Sequence, residues 1–198
     1  MSVFVLFALT VLPLIFTPGP DMLFILSQVM GIDAKAGMMA TLGVCCGYLV
    51  HSILVALGIA AIIVSFPVLF ETIRWLGIAY LLYLAFNLLK SVFSKKALNI
   101  EKKTSANPIK KGFFTALLNP KGMLIYFAIL PQFIDKSANT VSQGLIMSFI
   151  FISLIFVVYC GLSILFSKIS QKNQMDERKQ KWVDGTYGGL LALAASWL

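Results

Sequence analysis

Apolar residues run along this chain in long continuous blocks, and short polar stretches separate them. Six blocks read as helical spans: Val3–Val29, Met38–Val64, Pro67–Phe93, Phe113–Phe133, Val141–Phe166 and Trp182–Leu198. Crossing about 30 Å of hydrocarbon takes roughly 20 residues of helix, and several of these blocks reach that length. The last is the shortest and is interrupted by Asp184, Gly185, Gly188 and Gly189. It reads equally as a full span and as a tilted or re-entrant segment. A membrane β-barrel is excluded, because a barrel strand shows alternation over about ten residues and not a continuous apolar run.

Two of the blocks are broken. Thr17-Pro18-Gly19-Pro20-Asp21 interrupts the first, and Asn119-Pro120-Lys121-Gly122 interrupts the fourth. Proline, glycine and a charge at membrane depth are costly and mark a site more often than decoration. The residues fit a helix that stops and restarts: Thr17 and Asn119 are suitable N-caps, and Pro18 and Pro120 suit a first helical position. Each restart would present the positive end of a half-helix near the membrane midplane, with Asp21 in the first turn of one and Lys121 in the other.

Composition agrees with the pattern: 59% of residues are hydrophobic and only 12% charged, unlike a soluble domain. The expected class is therefore an all-α membrane protein of about six transmembrane helices. The 16 basic residues set its orientation. Seven lysines (Lys90, Lys95, Lys96, Lys102, Lys103, Lys110, Lys111) flank or fill the third loop. Lys168, Lys172, Arg178, Lys179 and Lys181 attend the fifth, and Lys35 lies in the first, against Arg74 and Lys136 on the other side. Positive loops stay cytoplasmic, so with six spans both termini face outward. The net charge of +8 sits in short loops beside spans, which argues for orientation and anionic lipid and against nucleic acid. No basic residue precedes the first apolar block, which argues against a cleaved signal peptide.

The lysine-rich stretch 94–111 divides the chain into residues 1–93 and 112–198, with three spans in each half. Three is odd, so the second half enters the membrane from the opposite side, the geometry of an inverted repeat. Faint self-similarity accompanies it: Leu23-Phe24-Ile25 follows the first break and Ile125-Tyr126-Phe127 the second. Gly43 with Gly47, and Gly185 with Gly189, form GxxxG pairs that let helix backbones approach closely. Internal packing is the preferred reading, and a homo-oligomer interface is the alternative.

An α-amino acid carries a carboxylate and an ammonium. Two half-helix N-termini with Lys121 suit the first, and Asp21 suits the second; equally, the two charges pair with each other and only hold the kinks. His51, within the second block, suits a proton relay with its ordinary pKa near 6.5, or is a buried histidine satisfied by a hydroxyl such as Ser52. Gln132 lines the pathway or sits at the interface, while Asn87 and Asp184 read as interfacial or packing polar groups and Trp75, Tyr80, Tyr83 and Trp182 as an aromatic belt. Cys45, Cys46 and Cys160 lack metal or disulfide spacing and read as packing residues. There is no GxxxxGK[ST], HExxH or GxSxG signature, so neither a nucleotide-driven pump nor an enzyme is indicated, and no cofactor is implied.

Thr17-Pro18-Gly19-Pro20-Asp21-Met22-Leu23-Phe24-Ile25-Leu26, followed by Gly43, Gly47 and His51, resembles the N-terminal half of the LysE/RhtB family of amino-acid exporters. Gly77-Ile78-Ala79-Tyr80-Leu81-Leu82-Tyr83-Leu84, Asn119-Pro120-Lys121-Gly122 and Leu130-Pro131-Gln132-Phe133-Ile134-Asp135 continue the resemblance through the rest of the chain. Ala85 departs from it, standing where the family commonly has glycine. The resemblance implies export of amino acids or their derivatives across the bacterial cytoplasmic membrane, driven by proton antiport. A passive channel of the same fold, without proton coupling, is the alternative. The expected pathway residues are Thr17, Pro18, Gly19, Pro20, Asp21, His51, Asn119, Pro120, Lys121 and Gln132.

Overall fold

The computed structural model describes residues 2–58, 107–135 and 137–172, with single helical positions at 68, 72, 75, 78, 79, 82, 83, 86, 185, 186 and 189. The expected spans Pro67–Phe93 and Trp182–Leu198 lie outside the described residues apart from those positions, as do Tyr80, Asn87, Trp182, Asp184 and the lysines from Lys90 to Lys103. The described residues form helices and turns, with no strand among them.

Helix α1 (Val3–Phe16) and α2 (Pro20–Gly31) meet at an angle of 54° and together match one broken span. Helix α3 (Ala34–Ala56) crosses unbroken and starts from an Asp33 cap, whose carboxylate accepts from Ala36 N at 2.7 Å. Helix α4 (Pro108–Leu117) starts inside the polar stretch, where Asn107 caps it by accepting from Lys110 N at 3.1 Å. Asn107 takes a left-handed conformation (φ 52°), one that asparagine tolerates better than most residues.

After a break at Leu118 and Asn119, α5 (Pro120–Leu124) leads into a π turn, Ile125–Ile129, and a 3-10 turn, Leu130–Phe133. This second pair bends by 48° and again matches one broken span. Helix α6 (Thr140–Lys172) is long, apolar and continuous. The described residues thus hold two helices able to cross a membrane alone, and four candidate spans if each bent pair counts as one.

Between the second broken span and α6, Gln143 ties down the connecting turn. Its side chain accepts from Asp135 N at 3.0 Å and donates to the Asp135 carbonyl at 2.9 Å. The Asp135 carboxylate accepts from Ser137 Oγ at 2.7 Å and Ser137 N at 2.8 Å, and those two bonds hold its pKa below the usual carboxylate range.

Helix α3 is the hub, packing against α2, α4 and α6. Its fit against α4 is backbone to backbone. A Cβ on Gly43 would overlap the Ile109 carbonyl, and one on Gly47 would lie 2.7 Å from the Phe113 carbonyl oxygen. On the facing helix, a Cβ at Gly112 would overlap the Ala40 carbonyl. The Gly43–Gly47 pair is therefore filled from within the chain. Of the second glycine pair, the described residues include Gly185 and Gly189 only as single positions. Around α3 lies a core of large side chains, with Phe7, Phe24, Tyr48, Tyr126, Phe151 and Tyr159 all buried. Outward faces of α1 and α6 remain apolar, as Leu9, Phe149 and Val157 illustrate, which suits contact with lipid.

Gly43→Ala should lower the thermal midpoint of the detergent-solubilised protein, because the added methyl meets backbone that cannot turn aside; overpacking of this kind typically costs about 1–3 kcal/mol. Gly161→Ala on α6, where nothing lies within 4 Å of the new methyl, should leave the midpoint unchanged or raise it. Equal midpoints for the two variants would show that the α3–α4 contact is not tight.

Candidate functional site

The first break restarts two residues later than its caps suggest. Thr17 is not the N-cap of the new helix but the C-cap of the old one: its backbone N–H donates to the Pro13 and Leu14 carbonyls, and its hydroxyl donates to Pro13 O at 3.1 Å. Gly19 is the N-cap of α2 and Pro20, not Pro18, occupies its first position. The reason is steric. A residue before proline is pushed out of the helical region, so Thr17 (ψ 124°) and Gly19 (ψ 173°) are both extended and helix can resume only at Pro20. The second break follows its expected plan, with Asn119 as cap and Pro120 first. The corresponding triplets are thus Gly19-Pro20-Asp21 and Asn119-Pro120-Lys121: a cap, a proline, then a charge of opposite sign.

These triplets come together in space. Lys121 Nζ donates to the Thr17 carbonyl oxygen at 2.7 Å, across the two breaks. That carbonyl belongs to the C-terminal end of α1, where the helix dipole is negative and the last carbonyls lack helical partners. Gly19 makes room for the lysine: a Cβ there would lie 3.0 Å from Lys121 Cδ and 3.3 Å from its Nζ. Thr17 and Pro18 are exposed, whereas Gly19, Pro20 and Asp21 are buried and Lys121 and Pro120 are half-buried.

Asp21 is 1% exposed, and its carboxylate is held by donors. Oδ2 accepts from the Tyr48 hydroxyl at 2.8 Å and Oδ1 from the Met22 amide at 3.0 Å. Tyr159 of α6, also buried, interacts with the same carboxylate. Asp21 is thus hydrogen-bonded by hydroxyls and Lys121 by a carbonyl, while the carboxylate also acts on the ammonium electrostatically. Asn119, fully buried, joins the groups: Oδ1 accepts from Lys121 N at 3.0 Å and Nδ2 donates to the Tyr48 hydroxyl at 3.4 Å.

His51 lies one turn beyond Tyr48 on α3 and is 2% exposed. Its Nε2 faces the Ala116 carbonyl at 3.4 Å, so that nitrogen carries the proton, and Nδ1 has no partner among the described residues. The rings of Tyr126 and Phe127 flank it at 5.6 Å, and Tyr48 at 6.0 Å. Ser52 is not its partner. That hydroxyl bonds the Tyr48 carbonyl and the Tyr126 hydroxyl, both at 3.0 Å. Gln132 is not brought to the cluster: it is exposed and donates to the Ala128 carbonyl of its own turn at 2.8 Å.

Tyr48, Tyr126 and Tyr159 were not among the expected site residues. Tyr48 had a signal, since it sits three residues before His51 and four before Ser52, a spacing that aligns all three on one helix face. The cysteines are free thiols, and no group of three or more metal-binding side chains occurs among the described residues.

Comparison with known proteins places this architecture in a family. The model of the LysE type translocator family matches residues 12–198. A leucine efflux protein of Enterobacter sp. (strain 638) is 37% identical over 160 residues, covering 75% of this chain and 74% of that protein. A leucine efflux protein of Klebsiella pneumoniae is 33% identical, covering 77% and 72% respectively. The uncharacterised membrane protein YrhP of Bacillus subtilis is 29% identical over 178 residues, 85% of this chain and 84% of its own length. No solved structure matches. With the family matched over nearly its whole length, the chain belongs to the LysE-type translocators and is a multi-pass protein of the bacterial cytoplasmic membrane.

Proposed function

We propose that the chain is a secondary exporter of amino acids that works by alternating access around the meeting point of its two helix breaks. The observation that carries this reading is the approach of two opposite charges, each in the first turn of a restarted helix and each hydrogen-bonded to groups other than its opposite. A zwitterionic cargo needs that arrangement. Its carboxylate takes the Lys121 ammonium from the Thr17 carbonyl, and its ammonium takes a place at Asp21. Half-helix N-termini add partial positive charge toward the carboxylate, as in other broken-helix sites. Relatives named leucine efflux proteins make leucine the first cargo to try.

In the same reading the halves 1–93 and 112–198 form two inverted three-helix repeats joined by the cytoplasmic basic stretch 94–111. Two bent pairs at corresponding places support it. Proton antiport completes the cycle: Asp21 exchanges a proton for the cargo ammonium, and His51, buried one turn from Tyr48, serves as a relay.

Asp21→Asn and Lys121→Ala should each reduce export by about tenfold or more, since each leaves one end of the cargo unpaired in a desolvated site. The check is amino-acid accumulation in the medium, normalised to protein in the membrane; near-normal export by both variants would remove the site from consideration. Uptake into inverted vesicles should rise when an inward-acidic pH gradient is imposed. Equilibration indifferent to that gradient would favour a passive facilitator.

A further inference from the structure

One side chain touches both breaks. Tyr48, 1% exposed, reaches Asp21 of the first through its hydroxyl and Asn119 of the second through the same oxygen. Its ring lies against Gly122, where a Cβ would overlap it, and meets Phe151 edge-on at 5.3 Å. The ring is boxed in, so only the direction of the O–H bond is free.

The hydrogen-bond chain through Tyr48 also has a fixed polarity. At the second break the Lys121 backbone N–H can only donate, so Asn119 must present Oδ1 to it. That leaves Asn119 Nδ2, which can only donate, facing the phenol oxygen. The phenol therefore sends its single proton to Asp21, and Asp21 must accept it. We infer that Tyr48 is a positioning residue for transport, transmitting the state of Asp21 to the Asn119 cap that seats Lys121.

The inference rests on the reading of Asp21 and Lys121 as cargo groups. When the carboxylate takes up a proton or a cargo ammonium, it becomes a poorer acceptor for Tyr48. The phenol then donates less strongly, and its oxygen becomes a weaker acceptor for the Asn119 Nδ2–H. Loading at the first break thus loosens the cap at the second. The groups facing Asp21 are Tyr48 from α3, Tyr159 from α6 and Lys121 from α5, with His51 one turn along α3.

The experiment measures uptake of a uniformly labelled amino-acid mixture into inverted vesicles, normalised to inserted protein. Tyr48→Phe keeps the ring and removes only the hydroxyl. Asn119→Asp keeps the cap acceptor and turns the donor toward Tyr48 into a second, charged acceptor that competes with Asp21 for the phenol proton. Each should lower the rate by about tenfold or more, since Tyr48→Phe loses a hydrogen bond to a charged group and Asn119→Asp sets a second carboxylate against the phenol. The double variant should be no slower than the slower single one, because both cut the same chain.

Near wild-type rates for Tyr48→Phe, with Asp21→Asn inactive, would overturn the coupling and spare the cargo site. An active Asp21→Asn, or no uptake by the wild type, would overturn both. Effects that multiply in the double variant would show two independent packing roles and overturn the coupling. If Tyr48→Phe does not accumulate in the membrane, Asn119→Asp alone decides: near-normal uptake overturns the inference and a loss supports it.

Discussion

Everything in the described core follows from one constraint: a helix that stops within an apolar medium frees backbone groups that water cannot reach. Each must find a partner inside the protein, or the break would cost several kcal/mol per group. The first break leaves the Thr17 carbonyl, and Lys121 meets it from the other half of the chain. The second leaves the Lys121 amide, and Asn119 caps it. Solving these two local problems with long polar side chains is what draws the breaks together.

The glycines set how near they can come. Contacts of Gly43, Gly47 and Gly112 bring α3 and α4 together at backbone distance, and Gly122 lets the Tyr48 ring lie on α5. With α3 held so close to the second broken span, its hydroxyl-bearing face at Tyr48 and Ser52 reaches Asp21, Asn119 and Tyr126. Asp21, Tyr48, Asn119, Ser52 and Tyr126 are then satisfied as a network and not as isolated pairs. The π turn at Ile125–Ile129, directly after α5, carries Tyr126 and Phe127 into the wall around His51.

Much of this was legible in the residue order, and the failures have physical causes. Pro18, Pro20 and Pro120 punctuate apolar runs so sharply that both breaks, Asp21 and Lys121 stand out without a structure. The cap register at the first break was misjudged because Thr17 and Gly19 both precede a proline; the second proline, by holding Gly19 extended, decides where helix resumes. Tyr48 went unrecognised since a tyrosine in an apolar block is ordinary until a carboxylate from another helix reaches it. Gln132 reads in the sequence as either a pathway or an interface group, and a carbonyl four residues earlier meets its side chain locally. Polar side chains in a span announce a need for partners but not where the partners are.

The pairing of α3 with α4 carries a consequence for biosynthesis. The tightest packing in the described core joins residues 34–56 to residues 108–117, across a stretch of chain made in between. When α3 emerges from the ribosome, its glycine groove is empty, Tyr48 lacks Asn119, and the Thr17 carbonyl lacks its lysine. The early helices can enter the bilayer one by one, but they cannot close their polar interior. A nascent chain halted before residue 119 therefore lacks these partners, with exposed hydrogen-bonding groups in lipid. Such a fragment is a natural target for membrane quality control, and the second break is the stitch that joins the early helices before α6 packs over them.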